Sequence, residues 1–237
     1  MELVYPPVIG FLRTMFRVLD LKITIDGAEH IPTTGGAVLA SNHVSYLDFI
    51  FCGLGARQSK RLVRFMAKKS VFDHRVSGPL MRGMHHIPVD RDAGTAAFRR
   101  ATTALKEGEV VGVFPEATIS ESFTVKELKS GAARLARTAK VPLIPMVVWG
   151  PHRLWTKGHP KELTKRHVPV IIKIGAPIEI PKGTSPDATT VELRERLSGL
   201  LDSAQLAYPD KPAESERWWL PAHLGGTAPL PGEAVAP

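Results

Sequence analysis

The stretch Ala37-Val-Leu-Ala-Ser-Asn-His-Val-Ser-Tyr-Leu-Asp48 decides the fold. Its apolar start follows Gly35-Gly36 and is typical of a buried strand, which the polar residues after Ala40 end. Ser45 then fits the N-cap of a helix, with Asp48 at the third helical position. His43 is therefore predicted to lie between the carboxyl end of a strand and the amino end of a helix. Open α/β sheets bind their ligands at this place.

The spacing of His43 and Asp48 restricts how they can meet. In one continuous helix their side chains would point about 140° apart, so they would not pair. If the chain folds back just before the helix, the carboxylate can bind one imidazole nitrogen and leave the other free as a base. The simpler interpretation is a capping box beside a turn histidine, and on this stretch alone it is the more common case.

The composition favours one globular domain with an anionic partner. The chain has 237 residues, 43% hydrophobic and 23% charged, and a formal net charge of +8. Nucleic acid, an anionic membrane face or a phosphorylated small molecule would each fit that charge. Cys52 is the only cysteine, so no intramolecular disulfide or cysteine-based zinc site is expected, and a reducing compartment fits. We expect no transmembrane helix, because the apolar stretches are too short, and no signal peptide, because the N-terminus lacks a basic region followed by a small-residue cleavage site.

Three segments are predicted along the chain. Residues 1–20 form an amphipathic helix, residues 21–207 form the α/β domain, and residues 208–237 form a Pro/Gly-rich tail that contains Trp218-Trp219. The apolar side of the first helix carries Phe11, Leu12, Met15 and Leu19, opposite Arg13 and Arg17. Such a helix can lie in a membrane interface, pack on the domain, or do both.

Strands alternate with helices, which predicts a single α/β domain with a mainly parallel or mixed sheet flanked by helices. Within it we expect one helix over residues 70–84 and another over Leu128–Ala139. The apolar strand over Val141–Trp149 is predicted to be short or broken, because it contains Pro142 and Pro145.

Polar residues follow three of the predicted strands. They are the stretch from Asn42 to Asp48, the segment Val89-Asp90-Arg91, and the segment Phe114-Pro-Glu-Ala-Thr118. The carboxyl ends of parallel strands meet at one edge of a sheet, so these three loops are predicted to build one site.

These blocks resemble the phospholipid/glycerol acyltransferase family, specifically its bacterial 1-acyl-glycerol-3-phosphate acyltransferases. The family has a histidine and an aspartate separated by four residues, here His43 and Asp48. Its second block ends in an arginine, here Ile87-Pro-Val-Asp-Arg91, and its third is of the type Phe-Pro-Glu-Gly-Thr-Arg-Ser, here Phe114-Pro-Glu-Ala-Thr-Ile-Ser120. A Val-Pro-Leu-Ile-Pro strand, here Val141–Pro145, completes the set. The resemblance implies a glycerolphosphate acyltransferase-like fold.

The resemblance also implies a reaction. His43 would act as the general base that deprotonates the acceptor hydroxyl, and Asp48 would orient it. The acceptor would be lysophosphatidic acid, the product phosphatidic acid, and the donor acyl-CoA or acyl carrier protein, with no cofactor and no metal. Substrate-binding roles would fall to Arg91, Glu116, Thr118, Lys68 and Lys129, with Arg91 on the acceptor phosphate.

The third block departs from the family pattern at two positions. Ala117 replaces the usual glycine, and a positive φ is unfavourable for alanine. Ile119 replaces a phosphate-binding arginine, so one cationic contact is missing or comes from elsewhere. Lys68, Lys126 and Lys129 are available, and Lys68 is the first choice.

Several alternatives stay open at this point. The acceptor can be another lyso-phospholipid or glycerol-3-phosphate, and water in its place would give a thioesterase. A basic nucleic-acid-binding module explains the charge but not the histidine–aspartate, Arg91 and Glu116 set, so no nucleic-acid partner is expected. For the acyltransferase we expect an anionic membrane surface as partner, and a peripheral or monotopic location on the cytoplasmic face.

Overall fold

The structure, a computed structural model, describes residues 2–90 and 94–233. Within these residues seven strands form one sheet and seven α-helices surround it. The strands are β1 Lys22–Asp26, β2 Ala37–Ser41, β3 Val63–Lys68, β4 Ile87–Val89, β5 Val110–Val113, β6 Leu143–Trp149 and β7 Pro169–Ile174. The helices are α1 Tyr5–Val18, α2 Asp48–Arg57, α3 Lys69–Asp73, α4 Ser77–Gly83, α5 Gly94–Lys106, α6 Gly131–Ala139 and α7 Pro186–Leu206. Short 3₁₀ helices span Ala28–His30, Pro151–Arg153, Glu214–Trp219 and Ala222–Leu224.

The strand order in the sheet is β1-β7-β6-β2-β5-β3-β4. Strands β6, β2, β5, β3 and β4 run parallel to one another, whereas β7 is antiparallel to β6. β1 then pairs in parallel with β7. The predicted single α/β domain with a mixed sheet is therefore confirmed. The carboxyl ends of five neighbouring strands therefore lie along the same edge of the sheet. β2 is the central strand of the sheet, so it ends near the middle of that edge.

Strand β2 is buried on both faces, as its continuous apolar sequence requires. Val38 and Ala40 face the core beneath α5, α6 and α7, whereas Ala37 and Leu39 face the core beneath α1 and α2. The strand that carries the site is thus held by packing from both sides.

The N-terminal helix α1 packs on the domain and also presents apolar residues to solvent. Phe16 stacks on Phe51 of α2, with ring centroids 5.0 Å apart. The Tyr5 hydroxyl donates to the carbonyl of Val63 at 2.5 Å, which fixes the start of the helix. Phe11 and Val18 stay 69% and 60% exposed, so the predicted apolar side is divided between domain and solvent. No helix in the described part of the chain is long and apolar enough to span a bilayer.

The helix predicted over residues 70–84 is wrong, because α3 and α4 are separate. His74 is extended after α3, and a Cβ on Gly78 would lie 2.2 Å from the carbonyl oxygen of Phe72. The extended backbone at His74 therefore ends the first helix, and the second helix lies close against it. α6 begins at Gly131 rather than Leu128, since the amide of Lys129 donates to Pro115 instead.

The prediction of a short or broken β6 is also wrong, since the strand runs unbroken over seven residues. The carbonyl of Pro145 faces β7 and accepts from the amide of Gly175 at 2.9 Å. The ladder between β6 and β7 ends at Met146 and Ile174, just before this proline. Pro145 therefore lies just beyond the end of this ladder, so its missing N–H removes no hydrogen bond from it.

Candidate active site

The turn after β2 begins with a side chain that continues the sheet. Asn42 Oδ1 accepts from the amide of Val148 at 2.8 Å, and its Nδ2 donates to the carbonyl of Val148 at 3.1 Å. The buried amide group takes both ladder positions that a further residue of β2 would have used. The backbone is thereby free to turn away from the sheet and present His43.

His43 and Asp48 form the predicted pair. His43 Nδ1 lies 3.0 Å from Asp48 Oδ2, which also accepts from the amides of Val44 at 2.8 Å and Ser45 at 2.7 Å. Asp48 is fully buried, and this burial raises the pKa of its carboxyl while the three donors oppose the rise. The chain thus folds back as the spacing required, and the carboxylate holds both the ring and the turn.

The predicted helix cap at Ser45 is wrong. α2 begins at Asp48 itself with no side-chain cap, and the Asp48 carboxylate binds the amides of Val44 and Ser45 in the turn before the helix. The Ser45 hydroxyl instead accepts from the amide of Leu47 at 3.0 Å and donates to the carbonyl of Trp155 at 2.7 Å. Ser45 therefore stabilises the turn and not the helix.

The His43 ring is fixed in position by stacking. It lies on the ring of Phe114, at the end of β5, with centroids 4.3 Å apart and an angle of 23° between the planes. Asp48 engages Nδ1, and the side chain keeps 21% of its surface exposed. The arrangement leaves Nε2 as the nitrogen available to a substrate hydroxyl, which is what a general base requires.

Glu116 holds the backbone of the site. Its Oε1 accepts from the amide of His43 at 2.8 Å, and its Oε2 accepts from the amide of Lys126 at 3.1 Å. The amide of Ser120 in turn donates to the carbonyl of His43 at 2.7 Å. Burial raises the pKa of Glu116 to about 7, well above its ordinary value of 4.5. The segment after β5 therefore hydrogen-bonds to both the amide and the carbonyl of His43.

The other predicted binding residues lie at the same sheet edge but are exposed. Lys68 ends β3, and Thr118 and Lys129 follow β5. The ammonium of Lys126 donates to the Thr118 hydroxyl at 2.6 Å. Lys126 is therefore the lysine that contacts the third block. For the missing cationic contact, Lys68 is the first choice from the sequence. Arg91 lies outside the described residues, and β4 ends two positions before it, at Val89, which pairs with Lys68.

The two departures from the family pattern have different structural outcomes. Ala117 does adopt a positive φ, +62°, so the alanine takes the backbone conformation that favours glycine. Ile119 is buried, with 7% of its surface exposed, in the loop directly after the exposed residues Ala117 and Thr118.

Four residues of the site were missed by the sequence predictions. Asn42 and Phe114 lie inside two of the predicted segments but had no assigned role, and a polar side chain directly after a buried strand was the available signal for Asn42. Trp155 and Thr156 hold the turn from more than 100 positions away along the chain. No local pattern marks them. In the described residues there is no group of three or more histidine, cysteine, aspartate or glutamate side chains suited to a metal ion.

Comparison with known proteins places this geometry in a family. A family model described as Acyltransferase matches residues 22–149. A 1-acyl-sn-glycerol-3-phosphate acyltransferase of Bacillus subtilis is 31% identical over 189 residues, 78% of this chain and 87% of that protein. The chain belongs to the acyltransferase family.

Further similarity extends to plants and to a solved structure. A 1-acyl-sn-glycerol-3-phosphate acyltransferase of Limnanthes douglasii is 32% identical to this acyltransferase over 73% of the chain and 60% of the plant protein. The crystal structure of the acyltransferase PlsC from Thermotoga maritima superposes with a TM-score of 0.71 at 23% identity, covering 86% of this chain and 81% of that one. The acyltransferase therefore shares this fold.

Proposed function

We propose that this acyltransferase moves a fatty acyl group from an acyl thioester onto the free hydroxyl of lysophosphatidic acid. The observation that carries the proposal is the pairing of His43 with buried Asp48, with Nε2 left for the acceptor. The names of the two sequence relatives support this acceptor. Acyl-CoA is the proposed donor, with acyl carrier protein as the alternative carrier.

In the proposed reaction His43 Nε2 removes the proton of the acceptor hydroxyl as its oxygen attacks the thioester carbonyl. The carbon–oxygen bond forms, the carbon–sulfur bond breaks, and the proton passes from the imidazolium to the leaving thiolate. Asp48 stabilises the imidazolium between these two steps. No covalent enzyme intermediate is needed.

The developing oxyanion requires hydrogen-bond donors. The amides of Ala117 and Ser120 already donate to Phe114 and His43. In the described part of the chain, the amides of Thr118 and Ile119 have no recorded acceptor, so we propose them as donors.

Acceptor binding would use the side of the site formed by β5, β3 and β4. Lys68 lies at this edge, Lys126 reaches Thr118, and Arg91 follows β4 in sequence. A guanidinium fork matches phosphate oxygens bidentately, which supports Arg91 as the main phosphate contact. The charge of +8 supports attraction to anionic lipid.

The decisive experiment measures free thiol released from acyl-CoA across a panel of acceptors. We expect release to depend on lysophosphatidic acid and to be much slower with glycerol-3-phosphate or lysophosphatidylcholine. Faster release with either of these would reassign the acceptor. Release without any acceptor would identify a thioesterase.

Membrane contact is proposed through the exposed side of α1. Phe11 and Val18 are exposed there, and Arg13 and Arg17 lie on the same helix. Phe11→Ser should weaken co-sedimentation with anionic vesicles, whereas Leu206→Ser, at a leucine 74% exposed on α7, should not. Equal binding of both variants would mean that α1 serves packing alone.

A further inference from the structure

The turn that carries His43 is held from outside by the loop after β6. The Thr156 hydroxyl donates to the carbonyl of Val44 at 2.7 Å. The carbonyl of Trp155 accepts from the Ser45 hydroxyl at 2.7 Å and from the amide of Tyr46 at 3.2 Å. Three consecutive residues of the turn therefore bond to two consecutive residues of the loop.

These bonds bear directly on the histidine–aspartate pair. Val44 and Ser45 are the residues whose amides donate to Asp48 Oδ2. The loop thus fixes each of these two residues on the side opposite to Asp48. A shift of the Val44 peptide would move the amide on which the carboxylate rests, and with it the His43 ring. Thr156 and Ser45 are 3% and 0% exposed, so water has no access to replace a lost bond.

The loop is itself anchored to the C-terminal segment. His152 Nε2 lies 3.0 Å from the carbonyl of Trp219, and burial lowers the pKa of His152 to about 3, so the ring is neutral and donates. Arg153 lies over the Trp219 ring, 4.4 Å from its centroid, and pairs with Asp210. The Pro/Gly-rich C-terminal segment is therefore part of the support behind the loop.

We infer that Thr156 is a positioning residue for the His43–Asp48 pair, acting through the carbonyl of Val44 without touching substrate. The inference rests on the proposed function, in which His43 is the general base. The family model ends at Trp149, so this support lies wholly outside the matched region. When a general base is displaced slightly from the proton that it removes, turnover falls far more than substrate binding does.

The test compares Thr156→Val with Thr156→Ser. Valine keeps the shape of threonine but cannot donate to Val44, whereas serine can. We expect Thr156→Val to lower kcat by roughly ten- to one-hundredfold, with the KM values of both substrates changed less than about threefold. Thr156→Ser should restore kcat to within about threefold of the wild type.

A matched control separates positioning from general loss of stability. Thr189 is also 3% exposed, and its hydroxyl also donates to a backbone carbonyl, that of Ser185, far from the turn. Thr189→Val should keep the wild-type kcat, and thermal unfolding should show that both valine variants are folded.

Three results would overturn the inference. They are a wild-type kcat in folded Thr156→Val, an equal loss of kcat in Thr189→Val, and a failure of Thr156→Ser to recover activity. The proposed function has its own indicator, His43→Ala. If that variant keeps activity, the general-base proposal fails. If it loses activity while Thr156→Val keeps it, the positioning role alone fails.

Discussion

The two sides of the site, one around His43 and one around Thr118, differ in how deeply their side chains are buried and how they are hydrogen-bonded. Asn42, Asp48 and Glu116 are buried, and each makes at least two hydrogen bonds to the backbone. On the other side, Thr118 and Lys68 are exposed. In the proposed reaction, the side that holds His43 is fixed by buried hydrogen bonds before substrate binds, whereas the side proposed to bind phosphate presents exposed charge.

Each side has a physical reason for its construction. A general base must hold its geometry to a fraction of an ångström, which requires neighbours that are buried and hydrogen-bonded. A phosphate is a large, doubly charged group that several flexible lysines can approach, although exposed contacts are weak and screened by salt. Changes on the first side should therefore alter turnover, and changes on the second should alter the acceptor KM.

The largest expected effect is that of His43→Ala. Loss of a positioned general base should lower kcat by about 10³-fold. Asp48 Oδ2 keeps the amides of Val44 and Ser45, so the turn and the fold should persist. Thiol release measures the change, and thermal unfolding checks the fold. His223→Ala, at an exposed histidine in the C-terminal segment, is the control. A kcat of His43→Ala within tenfold of wild type would contradict the proposal that the His43 side governs turnover.

The next effect concerns the pH dependence of stability through Glu116. Its pKa is raised to about 7 from 4.5, so the folded protein binds a proton more tightly there than the unfolded chain does. Between pH 4.5 and about pH 7 the contribution of Glu116 to the free energy of unfolding should fall as pH rises, by about 3 kcal/mol in total. Glu116→Gln removes this titration, so its unfolding free energy relative to wild type should increase with pH.

Urea denaturation at pH 5, 6, 7 and 8 measures the difference between the two proteins. Any loss of hydrogen bonding in Glu116→Gln shifts its curve by a constant and does not alter the slope. Glu127→Gln, at an exposed glutamate close by in sequence, should follow the wild type at every pH. If the free energies of unfolding of Glu116→Gln and of the wild type change equally with pH, the pKa of Glu116 is not raised in the folded protein.

On the phosphate side, Lys68→Ala should raise the acceptor KM by up to about tenfold and leave kcat nearly unchanged. The lysine is exposed at the end of β3. Lys106→Ala, at the end of α5 beside the opposite edge of the sheet, removes the same charge far from the site. An equal rise in KM for both variants would reduce the effect to overall charge. A fall in kcat for Lys68→Ala alone would erase the distinction between the two sides.

The sequence was most informative where the contacts are local. The spacing of His43 and Asp48 allowed them to pair if the chain folds back, and the family resemblance favoured that pairing over a simple capping box. The start of α2 was misplaced because the Ser45 hydroxyl bonds within the turn and the Asp48 carboxylate binds the amides of Val44 and Ser45, so no side chain caps the helix. The bonds from Trp155 and Thr156 could not be predicted, because they depend on how β6 and β2 lie side by side. The placement of Pro145 depends likewise on where β7 leaves the sheet.

The smallest expected effect lies at Ala117, on the strand-to-loop turn that joins the two sides. Its φ of +62° is unfavourable for a residue with a Cβ by about 1 kcal/mol, whereas glycine adopts it freely but loses more chain entropy on folding. Ala117→Gly should therefore raise the free energy of unfolding by only about 0.5 kcal/mol. Ala207→Gly, at a φ of −82°, should lower it instead. Urea denaturation at one pH resolves the two signs. Because the amide of Ala117 donates to Phe114, on which His43 stacks, an unchanged kcat in Ala117→Gly would show that this strain stabilises neither side of the site.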